Sequence, residues 1–120
     1  MIVLIADDEK GIVELLKDRV IAKGHSVNTA YDGKEAMELI KSNSYDLIFL
    51  DHNMPGLTGL ELLRYIKQNN LNPKITIVTA YEAIDEFFMK RLGADEYLTK
   101  PVKIKDIDDI IDKYSKLTNA

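Results

Sequence analysis

Four places along the chain join a short apolar run to a side chain that can do chemistry. Asp7, Asp8 and Glu9 follow the run Ile2 to Ala6, and Asp51 follows Leu47 to Leu50. Thr79 follows Ile75 to Val78, and Lys100 follows Glu96 to Thr99. The set offers carboxylates, a hydroxyl and an ammonium. Carboxylates brought to one spot repel each other and call for a divalent cation. All-oxygen ligation favours Mg2+, Mn2+ or Ca2+. Mg2+ commonly takes one or two carboxylates, keeps several waters and lets a phosphate complete its shell. A carboxylate nucleophile, a metal and a lysine are the parts that phosphoryl transfer requires, since its catalysis is mostly positioning and charge stabilisation.

Each residue alone has a plainer reading. Asp8, Glu9 and Asp32 read as acids at helix N-termini, where they meet free N–H groups and the positive end of the helix dipole. Lys100 alone reads as a solvated lysine and Thr79 as a strand-end threonine. Their joint occurrence at four strand ends argues against the plain readings as a set, with Asp32 left as a cap. Asp7 and Asp8 share one strand end and form a natural metal pair. Asp51 stands alone at the end of the buried run YDLIFLD and is the better acceptor. Pro55-Gly56 forces a turn that brings the Asn53 carbonyl back toward a metal.

The elements that must position these residues are legible. The five apolar runs (Ser26 to Ala30 being the second in chain order) are short and rich in β-branched or aromatic residues, as strands are. Runs one, three and four are apolar at nearly every position, the pattern of strands covered on both faces, whereas runs two and five alternate, as strands nearer an edge do. Between them, apolar residues recur with the helical period: Ile12, Leu15, Leu16, Val20; Ala36, Leu39, Ile40; Leu60, Leu63, Ile66; Ile84, Phe88, Leu92; and Ile107, Ile110, Ile111, Tyr114. Gly24, Asn69-Asn70 with Pro73, and Gly93 mark helix ends, and Asp32-Gly33 turns into the second helix. Strict β-α alternation predicts a parallel sheet with helices on both faces. In such sheets ligands bind beyond the carboxyl ends of the strands, where the strand order switches. That is where the chemically capable residues fall.

The bulk properties narrow the function classes. At 120 residues the chain fits one domain, 1–120. A net charge of -4, with the 16 Lys and Arg scattered among acids, argues against a nucleic-acid surface. The absence of cysteine removes disulfides, Cys-ligated zinc and thiol nucleophiles. The apolar start is too short for a signal peptide or a membrane span, so the expected location is the cytoplasm, with no membrane partner.

These residues and spacings resemble the receiver domains of two-component response regulators, along the whole chain from IADDE through LDHNMPGLTGLELL and IVTAY to GADEYLTKP. The resemblance implies a flavodoxin-like (βα)5 fold, doubly wound, with strand order 2-1-3-4-5. It implies that Asp51 is the phosphoacceptor, and that Mg2+, or Mn2+ in its place, is held by Asp7, Asp8, Asp51 and the Asn53 carbonyl. It implies that Thr79 and Lys100 bind the phosphoryl oxygens and that the Lys100-Pro101 bond is cis. Thr79 and Tyr97 would be the switch pair, acting on the surface of helix four, strand five and helix five. Asn53, similar to chemotaxis-type regulators, and Tyr81, similar to sporulation-phosphorelay regulators, would tune loss of the phosphoryl group to water. The implied partners are a sensor histidine kinase and either a downstream protein target or a phosphotransfer protein. Such a domain works alone or within a longer protein, and catalyses only its own phosphotransfer and dephosphorylation.

Several features stand beside that expectation. His52, directly after the acceptor, reads as solvent-facing or hydrogen-bonded. Phe87 and Met89 add apolar residues to a fourth helix whose core stripe is already filled, marking a partner patch or a helix packed all round. Ile12, Val13 and Leu16 lie near Asp8, where core packing and a kinase-docking face compete. An aspartate-nucleophile phosphohydrolase is the competing function, but it needs a second acid two residues after the nucleophile, where Asn53 stands. A nucleotide- or flavin-binding module would need a glycine-rich phosphate cradle, and neither GxGxxG nor GxxxxGK[ST] is present.

Overall fold

Five short strands, each followed by a helix, build the molecule. The computed structural model describes residues 1–80 and 86–118. In chain order the elements are β1 (Ile2–Ala6), α1 (Lys10–Ala22), β2 (Ser26–Ala30), α2 (Gly33–Ser42), β3 (Leu47–Asp51), α3 (Gly59–Gln68), β4 (Lys74–Thr79), α4 (Glu86–Arg91), β5 (Glu96–Thr99) and α5 (Ile104–Thr118). The strands are all parallel, in the order β2-β1-β3-β4-β5. The alternation implied the parallel sheet with helices on both faces, and the family resemblance implied this doubly wound order. The chain builds β2 on one side of β1 and then β3 on the other, so the order switches between β1 and β3.

Side chains along the strands sort into two cores. Val3, Ile5, Leu47, Phe49 and Val78 pack with α1 and α5 through Val13, Leu16, Val20, Ile107, Ile111 and Tyr114. Leu4, Ala6, Ile48, Leu50, Ile75 and Ile77 face the other way, onto Ala36, Ile40, Leu62, Leu63, Ile66 and Met89 of α2, α3 and α4. Because both faces are covered, β1, β3 and β4 are apolar almost throughout. The edge strands β2 and β5 alternate or stay half exposed. Val13 and Leu16 are fully committed to the first core and Ile12 leans on it, so packing accounts for this stripe of α1.

Helix ends follow local chemistry. Asp32 caps α2, accepting from the Glu35 N–H at 2.7 Å. Thr58 and Glu61 form a reciprocal capping box on α3. In α4 the inward residue is Met89, while Phe88 is 49% and Phe87 66% exposed. The expectation that Phe88 fills the core stripe is therefore corrected. Met89 packs into the core on the α2, α3 and α4 side, and Gly93, at φ +115°, follows the end of the described helix. Ile84 lies outside the described residues.

The sheet edge at β5 is tied to α5 by a small polar network. Glu96 accepts from the Tyr114 hydroxyl at 3.0 Å and from Lys113 Nζ at 2.7 Å. Burial works against the Glu96 charge, but these two bonds outweigh it and hold its carboxyl below the usual range. Tyr114→Phe removes a buried donor to a charged acceptor, and a loss of about 1–2 kcal/mol is expected in urea unfolding at pH 7. The group's folded value is depressed, so the stability it contributes is present above the unfolded value and is lost as the pH falls through the folded one. The gap between variant and wild type should therefore narrow in acid, and a gap independent of pH would rule the network out as its origin.

Candidate functional site

The carboxyl ends of β1, β3, β4 and β5 meet at the switch point. Asp7 continues the β1 ladder, its N–H donating to the Ala30 carbonyl at 3.1 Å, and it is only 1% exposed. Its Oδ1 accepts from the Glu9 N–H at 2.9 Å, which turns the chain into α1. Asp8, next in the chain, is exposed. Asp51 is the last residue of β3 and is 4% exposed. It pairs with Val78, so the buried Thr79 stands one residue beyond it on β4. The Lys100 N–H donates to the Thr79 carbonyl at 2.8 Å, and this bond carries the β4–β5 ladder out to the lysine. The Lys100–Pro101 peptide is cis, as expected.

The side chains converge. Lys100 Nζ lies 3.0 Å from Asp7 Oδ2, 3.0 Å from Glu9 Oε1 and 3.4 Å from Asp51 Oδ2. The Asn53 N–H donates to Asp51 Oδ1 at 3.3 Å. Asp8, Glu9, Asp51, Asn53, Ala80 and Lys100 line a cleft of about 270 Å³. Tyr97, on β5, leans its half-buried ring on the core beneath α2, α3 and α4. Tyr81 lies outside the described residues.

The electrostatics follow from burial. Asp51 is pushed up to about 7, first by burial and then by the negative charge of Asp7, against the pull of Lys100 and the Asn53 N–H. Asp7 is also raised by burial, against the Glu9 N–H and Lys100. Burial works against the Lys100 charge, yet its bonds to Asp7 and Glu9 raise it overall. One ammonium thus faces more negative charge than it neutralises.

Asp7, Asp8 and Asp51 each offer a carboxylate oxygen, and these atoms all lie within 4.8 Å of one another. Asp7 Oδ2 is buried and, although beside Lys100, receives no hydrogen bond. Two buried carboxylates held above their ordinary values, an oxygen-only donor set and an open cleft suit a small hard dication such as Mg2+.

Three findings go beyond the sequence reading or against it. Glu9 adds a third carboxylate to Lys100. Its place after β1 was visible, but nothing local showed which cation it would meet. Neither Asp8 nor Glu9 caps α1 with its side chain, so the plain reading of this acidic run does not hold. The His52 side chain makes no hydrogen bond and faces solvent only in part. Its ring is half buried, Nδ1 is sealed from solvent without a partner, and burial pushes the ring's affinity for a proton down. The chain after Asp51 turns back on itself, with the Gly59 N–H on the His52 carbonyl at 3.0 Å.

A parallel five-stranded sheet with an acidic cleft at its switch point and a lysine reaching in from the last strand defines a phosphoryl-handling signalling class within the doubly wound folds. The profile of the response regulator receiver domain matches residues 3–112, and the chain belongs to that family. It is 35% identical over 105 residues to the response regulator ArlR of Staphylococcus saprophyticus, covering 88% of this chain and 48% of that protein. The chain therefore spans about half the length of this curated relative. Its fold is similar to the receiver domain of the Francisella response regulator 1452, with a TM-score of 0.90, 36% identity and 98% of both chains covered. It is also similar to the response regulator TrrA of Thermotoga maritima, solved in complex with Mg2+-BeF, with a TM-score of 0.83, 34% identity, and 94% and 97% of the two chains covered. The protein is thus a receiver domain of the two-component type, with an acidic site that fits Mg2+. Among the described residues, no helix is long and apolar enough to cross a membrane.

Proposed function

We propose that Asp51 accepts a phosphoryl group from the phosphohistidine of a sensor kinase and that the chain, read as one receiver domain over 1–120, is a switch rather than a metabolic enzyme. The observation that carries this reading is Asp51 itself, buried at the switch point between a second carboxylate and the Lys100 ammonium. A carboxylate oxygen of Asp51 attacks phosphorus, the P–O bond forms, and the P–N bond to the histidine breaks. The imidazole keeps the bonding pair and takes up a proton. Lys100 and Thr79 receive the phosphoryl oxygens, and Lys100 neutralises the charge that develops on them. Asp7, Asp8, Asp51 and the Asn53 carbonyl would hold Mg2+, with Mn2+ as a substitute. When bound, the metal supplies charge neutralisation between the carboxylates and the incoming phosphoryl group.

Phosphorylation then biases one of two conformations. Thr79 and Tyr97 are the residues proposed to couple the site to α4, β5 and α5. Support for a partner surface there comes from the exposed Phe87 and Phe88, which with Arg91 and Leu92 line a hollow of about 470 Å³. The partners proposed are the kinase, and a downstream target or phosphotransfer protein, in the cytoplasm. The test is phosphoryl incorporation from purified histidine kinases in the presence of Mg2+. Wild type should gain one acid-stable, hydroxylamine-labile group, and chelation should stop its formation. Equal labelling with and without divalent metal would defeat the proposal.

A further inference from the structure

The turn from Asp51 into α3 is held from two sides by backbone contacts that only glycine permits. On one side Gly59 opens α3, and a Cβ there would stand 2.5 Å from the Asp51 carbonyl oxygen and 2.9 Å from His52 Cα. On the other side lies the first turn of α2, an element with no side chain of its own in the acidic site. The Gly33 N–H donates to the Pro55 carbonyl at 3.0 Å. A Cβ on Gly33 would overlap the Leu57 carbonyl oxygen and stand 2.6 Å from that residue's carbonyl carbon and amide nitrogen. Gly56, at φ +85°, completes the contact, with the Lys34 amide 3.5 Å from where its own Cβ would be. Backbone thus packs directly on backbone, the use for which glycine is suited.

We infer that Gly33 is a positioning residue for the metal site: the N-terminus of α2 presses on residues 55 to 57 and so fixes where the Asn53 backbone stands relative to Asp51. Asn53 is two residues upstream of the clamped Pro55 and already donates to Asp51 Oδ1. The turn between them is therefore pinned at the Asp51 carboxylate, at Gly33 and at Gly59. Asp32 caps α2 immediately before the contact, which keeps that helix end in register with the turn. This inference rests on the reading that Asp7, Asp8, Asp51 and the Asn53 carbonyl hold Mg2+.

The experiment is a Mg2+ titration of the full chain, followed by the backbone amide NMR signals of Asp8, Asn53, Met54 and Leu57. Thermal melts of the same samples accompany it. In Gly33→Ala the Met54 and Leu57 signals should already be displaced before any metal is added, and Mg2+ affinity should fall by about tenfold or more, as it does when groups that orient a ligand are disturbed. Val20→Ala, which hollows the core on the far face of the sheet, should lower the melting temperature and keep wild-type affinity. If Gly33→Ala does not fold, Asp32→Ala loosens the same helix end without adding an atom, and should give a smaller shift of the same signals with a partial loss of affinity. Unmoved Met54 and Leu57 signals with wild-type affinity in the folded variant would overturn the inference. So would an equal affinity loss in Val20→Ala at matched melting temperature. A wild-type protein whose signals ignore Mg2+ would instead sink the metal reading, and the metal-free displacement would still decide whether Gly33 holds the turn.

Discussion

Asp51→Asn is expected to raise the melting temperature of the metal-free protein above pH 7 while abolishing phosphoryl acceptance. The two effects have one cause. Burial and Asp7 push the Asp51 carboxyl from 3.8 up to about 7. Between those values the native state binds a proton that the unfolded chain has released, so stability falls as the pH rises through that window. Above pH 7 the penalty is fully present; below about pH 4 it vanishes. The whole rise corresponds to at most about 4 kcal/mol. Part of it belongs to the pair formed with Asp7, so a gain of about 2 kcal/mol is expected for the amide, or roughly 5–10 °C. The measurement is a set of thermal melts of both proteins at pH 5 and pH 8 with chelator, repeated at pH 8 with Mg2+. The gain should be small at pH 5, full at pH 8 and reduced by metal, which stabilises wild type more. A variant that melts at or below wild type at pH 8 without metal would mean that Asp51 carries no electrostatic strain.

Lys100→Met should act in the opposite direction. The lysine side chain is buried against three carboxylates, and methionine keeps most of its volume while deleting the charge. Removing one partner from a buried ionic cluster typically costs about 3–5 kcal/mol, because the remaining charges are left uncompensated. Lys100 is itself raised above 10.5, so its own titration lies above the neutral range and lends no pH dependence between pH 4 and pH 8. The pH dependence of the variant must then come from Asp7 and Asp51, whose carboxyls rise further without the ammonium. The destabilisation should be largest at pH 8, shrink toward pH 4 as both carboxyls protonate, and be relieved in part by Mg2+. Phosphoryl acceptance should fall by about 10²–10³, as when one preorganised charge-stabilising donor is lost. Urea unfolding at pH 5 and pH 8 checks the first claim and single-turnover phosphotransfer the second. A loss equal at both pH values would point to packing alone.

Much of this arrangement is legible in the chain. The strands announce themselves by composition, and the difference between IVLIA and SVNTA already separates a central strand from an edge one. The four strand-end positions suffice to bring Asp7, Asp51, Thr79 and Lys100 together, because a parallel sheet puts every carboxyl end on one edge. Three details lay beyond a linear reading. Glu9 meets Lys100 across 91 residues, and no local pattern selects that partner over the solvent. The inward residue of the described part of α4 is Met89 rather than Phe88, and three successive apolar residues, Phe87 to Met89, do not by themselves say which one turns inward. Gly33 reads as the ordinary companion of an N-cap, and its contact with Leu57 exists only once α2 and the turn after β3 are placed side by side.

The two outermost strands have a consequence for the life of the molecule at high concentration. β5 has four residues and β2 has five; the exposed positions are Ser26 and Asn28 on β2 and Thr99 on β5. Glu96 at the start of β5 is engaged by α5, and Asn28 on β2 donates to the Tyr45 hydroxyl. A short polar margin offers few unpaired peptide groups to another sheet. Both rims therefore resist strand-by-strand stacking of copies into fibres. Apolar β-branched residues at Ser26 and Asn28 would take that protection away from the β2 rim.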